Sequence, residues 1–380
     1  MRGHDSRRRT AGWGFAVSAR APRTVVVDDS RFMRGLIADI LESGGVEVVG
    51  EAADGREALS VVADVDPDVV TMDVEMPEMN GIEAVERLMA ENPTPTLMLS
   101  AYTAEGAEET FAALDAGAVD FFAKPGGEVS MGVSRLEEQL VDTVRSVAGA
   151  DVSRAGRRRR TEAATAATSG AAPSSPDASS AGGSTDATVE PNTTLIIGSS
   201  TGGPDAVERV VSALPGDADI RGVVVQHMPE AFTGRFATRL DDACELTVRE
   251  AKDGMRIGRG ELAVAKGGHH LEITSARDGR LRLSVIDEER GEGVRPSVNV
   301  TMRSAAEVVD DPLIGVILTG MGGDGSDGVQ AISRAGARVL AQDEESCVVY
   351  GMPKRAAATG AVDSMLPLDD IAAGITGERA

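Results

Sequence analysis

The sequence predicts two α/β units in tandem, each built on a doubly wound parallel sheet, the second carrying a small antiparallel insertion. Three observations predict this. Short Val-rich apolar runs alternate with amphipathic stretches over residues 23–148. The same rhythm returns after Thr193. Between the two lies a tract with no periodicity at all.

In the first unit, RTVVVDD, VEVVGEA, PDVVTMD, TLMLS and AVDFF read as strands. MRGLIADILESG and GIEAVERLMAEN place apolar residues at helical spacing between them. Five βα units in that order imply a five-stranded parallel sheet with helices on both faces. Residues 149–191 contain GRRRR and then an Ala/Ser/Thr/Gly/Pro tract that cannot build a core, which makes them a flexible linker. Residues 192–380 form the second unit. TTLIIG and RGVVVQ read as strands followed by helices, ELAVAK, HHLEIT and RLRLSV as the antiparallel insertion, and LIGVILTG as a strongly apolar strand. Residues 1–22 loosely resemble a twin-arginine leader but lack a Leu/Val core, and read as a disordered tail or a start assigned too early.

Bulk composition narrows the function classes. No apolar run is long enough to span a bilayer. The formal net charge of −23 would repel phosphate backbones and anionic lipid, which argues against nucleic acid as a partner and against direct membrane insertion. Lysine occurs only at Lys124, Lys252, Lys266 and Lys354. An acidic, lysine-poor surface reads as one adapted to a high-salt cytoplasm, where screening tolerates self-repulsion. Two cysteines, Cys244 and Cys347, are too few for a disulfide framework and read as buried free thiols in a reducing cytosol.

Ligands of parallel α/β sheets sit beyond the carboxyl ends of the strands. In the first unit those ends carry Asp28 and Asp29, then Asp73, then Ser100, then Lys124. An Asp at a strand end is ordinarily a cap or turn former. Three carboxylates converging on one point call instead for a hard cation, and Mg²⁺ suits oxygen ligands. A lysine and a hydroxyl beside them would hold the oxygens of a phosphoryl group. With VVVDDS, TMDVEMPEMNG, LSA and AKP in these places, residues 23–148 resemble the receiver domain of two-component response regulators. The resemblance implies a flavodoxin-like fold, Asp73 as phosphoacceptor and Asp28, Asp29 and Asp73 as the Mg²⁺ site. It further implies Ser100 and Phe121 as switch residues, Lys124 as the phosphate contact, and a cis Lys124–Pro125 peptide.

In the second unit, Gly198-Ser199-Ser200-Thr201-Gly202 satisfies G-x-S-x-G between a strand and a Pro204-started helix. That makes Ser200 a candidate nucleophile. A plain glycine turn and a phosphate loop are the competing readings, although the Walker-type ending is missing. A serine needs a base. Of His4, His227, His269 and His270, only His227 stands at a strand end beside the elbow, while His269 and His270 read as exposed turn residues. Asp324 and Asp327, after LIGVILTG, are both candidates to orient the base. GGDGSDGVQ also fits a calcium-binding nonapeptide, but that motif works in tandem and occurs once here, so calcium is rejected.

With IGSSTGGP, VVQHMP, LTGMGGDG and SCVVYGMP in view, the second unit resembles the catalytic domain of the chemotaxis protein-glutamate methylesterases. The resemblance implies a Ser200–His227–Asp324 triad without Asp327, and oxyanion donors at the neighbouring Thr201 and Met321. It implies hydrolysis of glutamate methyl esters and deamidation of glutamines on methyl-accepting chemoreceptors, with no cofactor for that chemistry. A chemotaxis histidine kinase would be the phosphodonor, and the unphosphorylated receiver would pack over the active site. Two departures, Lys266 for proline and Asn299 for aspartate, fall near the expected substrate groove. A non-enzymatic interaction module, a DNA-binding output and a general ester hydrolase are the rival functions.

Overall fold

The computed structural model describes residues 20–100, 104–124, 133–150, 152, 189–288 and 293–377. Most of the expected tail and linker, and Pro125 with its expected cis bond, lie outside the described residues.

The first sheet has strand order β2-β1-β3-β4-β5, all parallel, with β1 Arg23–Val27, β2 Glu47–Ala52, β3 Val69–Asp73, β4 Thr96–Ser100 and β5 Asp120–Ala123. Val25, Val26 and Val27 are all buried, because helices cover both faces of a parallel sheet. Side-chain caps start the helices where the chain leaves a strand: Ser30 accepts the Met33 N–H, Asp54 those of Arg56 and Glu57, and Asn80 that of Glu83. Chain order reverses at β1, so the ends of β1 and β3 meet at the switch point.

The second sheet has seven strands in the order β15-β14-β13-β6-β7-β10-β8. Its centre is β6 Thr193–Ser199, β7 Ile220–Gln226 and β13 Leu313–Ile317. On either side lie β8 Thr247–Glu250, β10 Glu261–Val264, β14 Arg338–Gln342 and β15 Ser364–Leu366. The chain leaves β6 toward β7 and later returns to β6's other flank with β13, which puts this unit's switch point at β6.

The antiparallel insertion is smaller than expected from sequence. ELAVAK does not belong to it: β10 pairs parallel with both β7 and β8, and Leu262, Ala263 and Val264 are buried. A short wholly apolar run fits a two-sided central strand better than an insertion hairpin. The insertion is β9 Arg256–Ile257, β11 His270–Arg277 and β12 Arg280–Ile286. His270 is therefore not an exposed turn residue; it opens β11 at 2% exposure, whereas His269 stays half-buried in the turn. Cys244 and Cys347 are free, and both are half-buried rather than buried.

The two units share one apolar cluster. Phe121 stacks on Phe232 with ring centroids 4.6 Å apart, and Phe111 on Phe236 at 6.1 Å. Around this stack the first unit's helix Ala104–Ala116 meets the helix Glu230–Ala243 through ion pairs of Glu108 with Arg235 (2.9 Å) and Asp115 with Arg239 (2.8 Å). Among the described residues, no helix is long and apolar enough to cross a membrane.

The charge of −23 on this frame has a measurable consequence. The screening length falls from about 30 Å at 0.01 M salt to about 3 Å at 1 M, which removes most of the self-repulsion. The melting temperature is expected to rise with KCl over that range, by roughly 2–4 °C for each kcal/mol of repulsion relieved. A salt-independent transition in calorimetry would show that the acidic surface has no such role.

Candidate active site and acid pocket

Ser200, His227 and Asp324 follow three adjacent strands. Ser200 comes directly after β6, His227 directly after β7, and Asp324 lies in the loop between β13 and the helix Ser326–Arg334. The ladder holds the first two in step, with His227 N–H donating to Ser199 O at 3.1 Å. The elbow is built as a tight turn needs. A side chain at Gly198 would run into Val298, and Gly202 sits at φ 70°, the left-handed region glycine favours. Pro204 then starts the helix Gly203–Ser212.

The two adjacent serines have different surroundings. Ser199 is fully buried, and its hydroxyl donates to Gln226 Oε1 at 2.6 Å. Gln226 Nε2 in turn donates to Ser200 O at 2.9 Å and His227 O at 3.2 Å. Ser199 thus orients an amide that ties the two strand ends together. Ser200 is anchored by its backbone, its N–H donating to Thr319 O at 3.0 Å.

Asp324 is the carboxylate that reaches the histidine. His227 Nε2 lies 2.8 Å from Asp324 Oδ2, while Asp327 is exposed in the first turn of Ser326–Arg334. The carboxylate is collected by the start of the helix Val298–Val308: Ser297 Oγ donates at 2.9 Å, Val298 N–H at 2.6 Å and Asn299 N–H at 3.1 Å. Burial would raise the Asp324 carboxyl, but His227 and these N–H groups hold it below its ordinary range. An ionised carboxylate makes Nε2 the protonated nitrogen, which leaves Nδ1 as the basic one. In the chymotrypsin-type triad the carboxylate holds the other ring nitrogen, Nδ1.

Sequence reasoning missed Gln226, Ser297 and the true place of Asn299. Asn299 is 6% exposed and its Oδ1 accepts the N–H groups of Gly325 and Gly328, so it belongs behind the Asp324 loop rather than in a groove. An N-cap serine before a helical run, RPSVNV, was the available signal for Ser297. Lys266 pairs with Glu230 at 2.8 Å, in the turn that packs against the segment after His227.

In the first unit the expected pocket assembles. Oxygens of Asp28, Asp29 and Asp73 lie within 4.8 Å of one another, an all-carboxylate donor set that fits a hard divalent cation. Lys124 Nζ lies 2.6 Å from Asp73 and 2.8 Å from Asp28. Burial raises the Asp73 carboxyl above its ordinary value against the pull of Lys124. Ser100 is buried at the end of β4 and its hydroxyl donates to Gly106 O at 3.2 Å.

The first unit also reaches both residues expected to flank the oxyanion. Asp120, the first residue of β5, is buried with its carboxyl close enough to the Thr201 hydroxyl and the Gly202 N–H for both to favour its charged form. Ser146, on the helix Val133–Val147, places its hydroxyl 3.2 Å from Met321 Sδ.

Residues 195–375 match the CheB methylesterase family, and residues 24–132 match the response regulator receiver domain. The chain is 57% identical over 355 residues to the protein-glutamate methylesterase/protein-glutamine glutaminase of Haloarcula marismortui, covering 93% of this chain and 96% of that one. The protein of the same name from Natronomonas pharaonis is 54% identical over 353 residues, covering 92% and 96%. That of Symbiobacterium thermophilum is 40% identical over 358 residues, covering 94% and 97%. Similar to these relatives along nearly its whole length, and matching both family models, this protein belongs to the protein-glutamate methylesterase/protein-glutamine glutaminase family, a receiver joined to a CheB methylesterase domain.

Proposed function

We propose that this chain hydrolyses γ-glutamyl methyl esters, and deamidates glutamines, on methyl-accepting chemoreceptors, with its receiver as the control element. The observation that carries the chemistry is the ionised, buried Asp324 on His227 Nε2, beside the strand end that bears Ser200. Ser200 Oγ attacks the γ-carbonyl carbon while His227 Nδ1 takes the serine proton. Backbone N–H groups at Thr201 and Met321 receive the oxyanion. His227 then gives its proton to the leaving methoxide, or to the leaving amine of a glutamine. Water attacks the acyl-serine, His227 takes a proton from it, and Ser200 leaves reprotonated with glutamate as product. Asp324 keeps the imidazole oriented and balances its charge while it is protonated.

Asp28, Asp29 and Asp73 would hold Mg²⁺, which when bound offsets the charge of the incoming phosphoryl group. A chemotaxis histidine kinase would supply that group, and Asp73 would accept it. Phosphorylation adds about −1.5 to −2 charges at neutral pH, which draws on Lys124 and Ser100. Methanol release from methylated receptor membranes, with and without acetyl phosphate and Mg²⁺, tests the reading. Wild type should be stimulated and Asp73→Asn should not. Absence of release under every condition would refute the esterase assignment.

Asp120 is the receiver residue placed to restrain the serine loop. Burial pushes its carboxyl up to about 7, against the pull of the Phe121 and Gly202 N–H groups and the Thr201 hydroxyl. Once the domains part, the group returns toward its ordinary 3.8. The closed form therefore binds the extra proton, and closure gains from it at low pH and loses it as pH rises toward about 7. Stimulation by phosphodonor, relative to basal release, is expected to shrink as pH rises from about 4 to about 7, the window set by that shift, and to level off above it. Asp120→Ala should raise basal release several-fold and flatten this dependence. An unchanged pH dependence in Asp120→Ala would remove Asp120 from the control.

A further inference from the structure

The loop that carries Asp324 is rich in glycine. Gly322 and Gly325 sit at φ 83° and 94°, and Gly323 lies between them, so the backbone here is intrinsically free. Besides the bonds that His227, Ser297 and Val298 make to the Asp324 carboxylate, Asn299 ties down the loop backbone. Its Oδ1 accepts the Gly325 N–H at 3.0 Å and the Gly328 N–H at 2.8 Å, and its own N–H donates to Asp324 Oδ1 at 3.1 Å. One residue thus grips the chain just after Asp324 and the Asp324 carboxylate as well.

The choice of amide over carboxylate matters here. An aspartate would accept the same two N–H groups, but it would set a second negative charge beside a buried carboxylate. We propose that Asn299 is a positioning residue: it locks the Asp324 loop to the start of the helix Val298–Val308 while adding no charge to the Asp324–His227 pair. The inference rests on the triad reading above. Other charged groups lie near: Lys266 and Glu230 pair in the turn that packs against the segment after His227. Arg355 packs against Gly323 of the same loop, Arg303 donates to Asn299 O one turn along the helix, and Asp327 is exposed.

The test compares Asn299→Ala, Asn299→Asp and Ser200→Ala in the full chain, reading kcat and KM for methanol release across pH. Asn299→Ala loses both acceptor bonds, and misplacement of the carboxylate should lower kcat by about 10²-fold with KM little changed. Asn299→Asp keeps the bonds and should recover most of that kcat at high pH. Its acid limb should lie about one pH unit higher than in wild type, because a second carboxylate favours the imidazolium. Wild-type kcat in Asn299→Ala would overturn the positioning role, and an unshifted acid limb in Asn299→Asp would overturn the charge argument. If Asn299→Ala does not fold, the Asn299→Asp profile decides alone. Failure of the triad reading itself has a separate signature, since Ser200→Ala would then release methanol like wild type.

Discussion

Ser200→Ala is expected to lower methyl-ester hydrolysis by about 10⁶-fold, the scale at which serine triads lose their nucleophile. The residual rate over water would come from oxyanion donors and receptor binding. Because nucleophile and base act as one unit, Ser200→Ala/His227→Ala should be no slower than either single variant. Ser199→Ala gives the contrast. It loses the 2.6 Å bond that orients Gln226, so it should disturb stability and geometry without abolishing turnover. Initial rates of methanol release decide the matter, and phosphoryl uptake at Asp73 serves as the folding control. If Ser200→Ala keeps more than about 1% of the rate, an order of loss far short of that for a nucleophile, the acyl-serine route is wrong.

Asp324→Asn is expected to cost about 10⁴-fold in kcat. The structure gives a reason beyond the lost charge. Oδ2 accepts from His227 and the Val298 N–H, and Oδ1 accepts from the Ser297 hydroxyl and the Asn299 N–H. An amide has one acceptor oxygen, so whichever way it turns, its NH₂ faces a backbone N–H. Either the imidazole loses its orienting acceptor or the start of the helix Val298–Val308 is left unsatisfied. Asp327→Asn, on an exposed side chain, should leave the rate near wild type. Equal losses in the two variants would reassign the orienting carboxylate.

Much of this site was legible because it lies where parallel strands end. The residue after a Val-rich run is fixed in space by the sheet, so Asp28, Asp73, Ser200 and His227 could be placed from pattern alone. Asp324 was harder, since a glycine-rich loop separates it from β13 and nothing local chooses between it and Asp327. The choice is made by the start of the helix Val298–Val308, which lies far off in sequence. Asn299 was misread for the same reason: its partners, Gly325 and Gly328, are nearly thirty residues away, beyond reach of any periodicity. ELAVAK was misplaced because an apolar run does not announce its neighbours. Only the pairing with β7 and β8 shows that it is an interior strand.

Strand β5 is four residues long, about 13 Å at the usual rise per residue. At its start Asp120 holds the serine loop, and just past its end Lys124 holds Asp73. A rod that short transmits in both directions. If phosphoryl transfer to Asp73 loosens the grip on Thr201, then a receptor segment that pries the domains apart must, by the same free energy, favour the phosphorylated receiver. The substrate is then an effector of its own enzyme's switch: receptors crowded with methyl esters would hold the receiver in its charged state longer, and removal of those esters would end the signal.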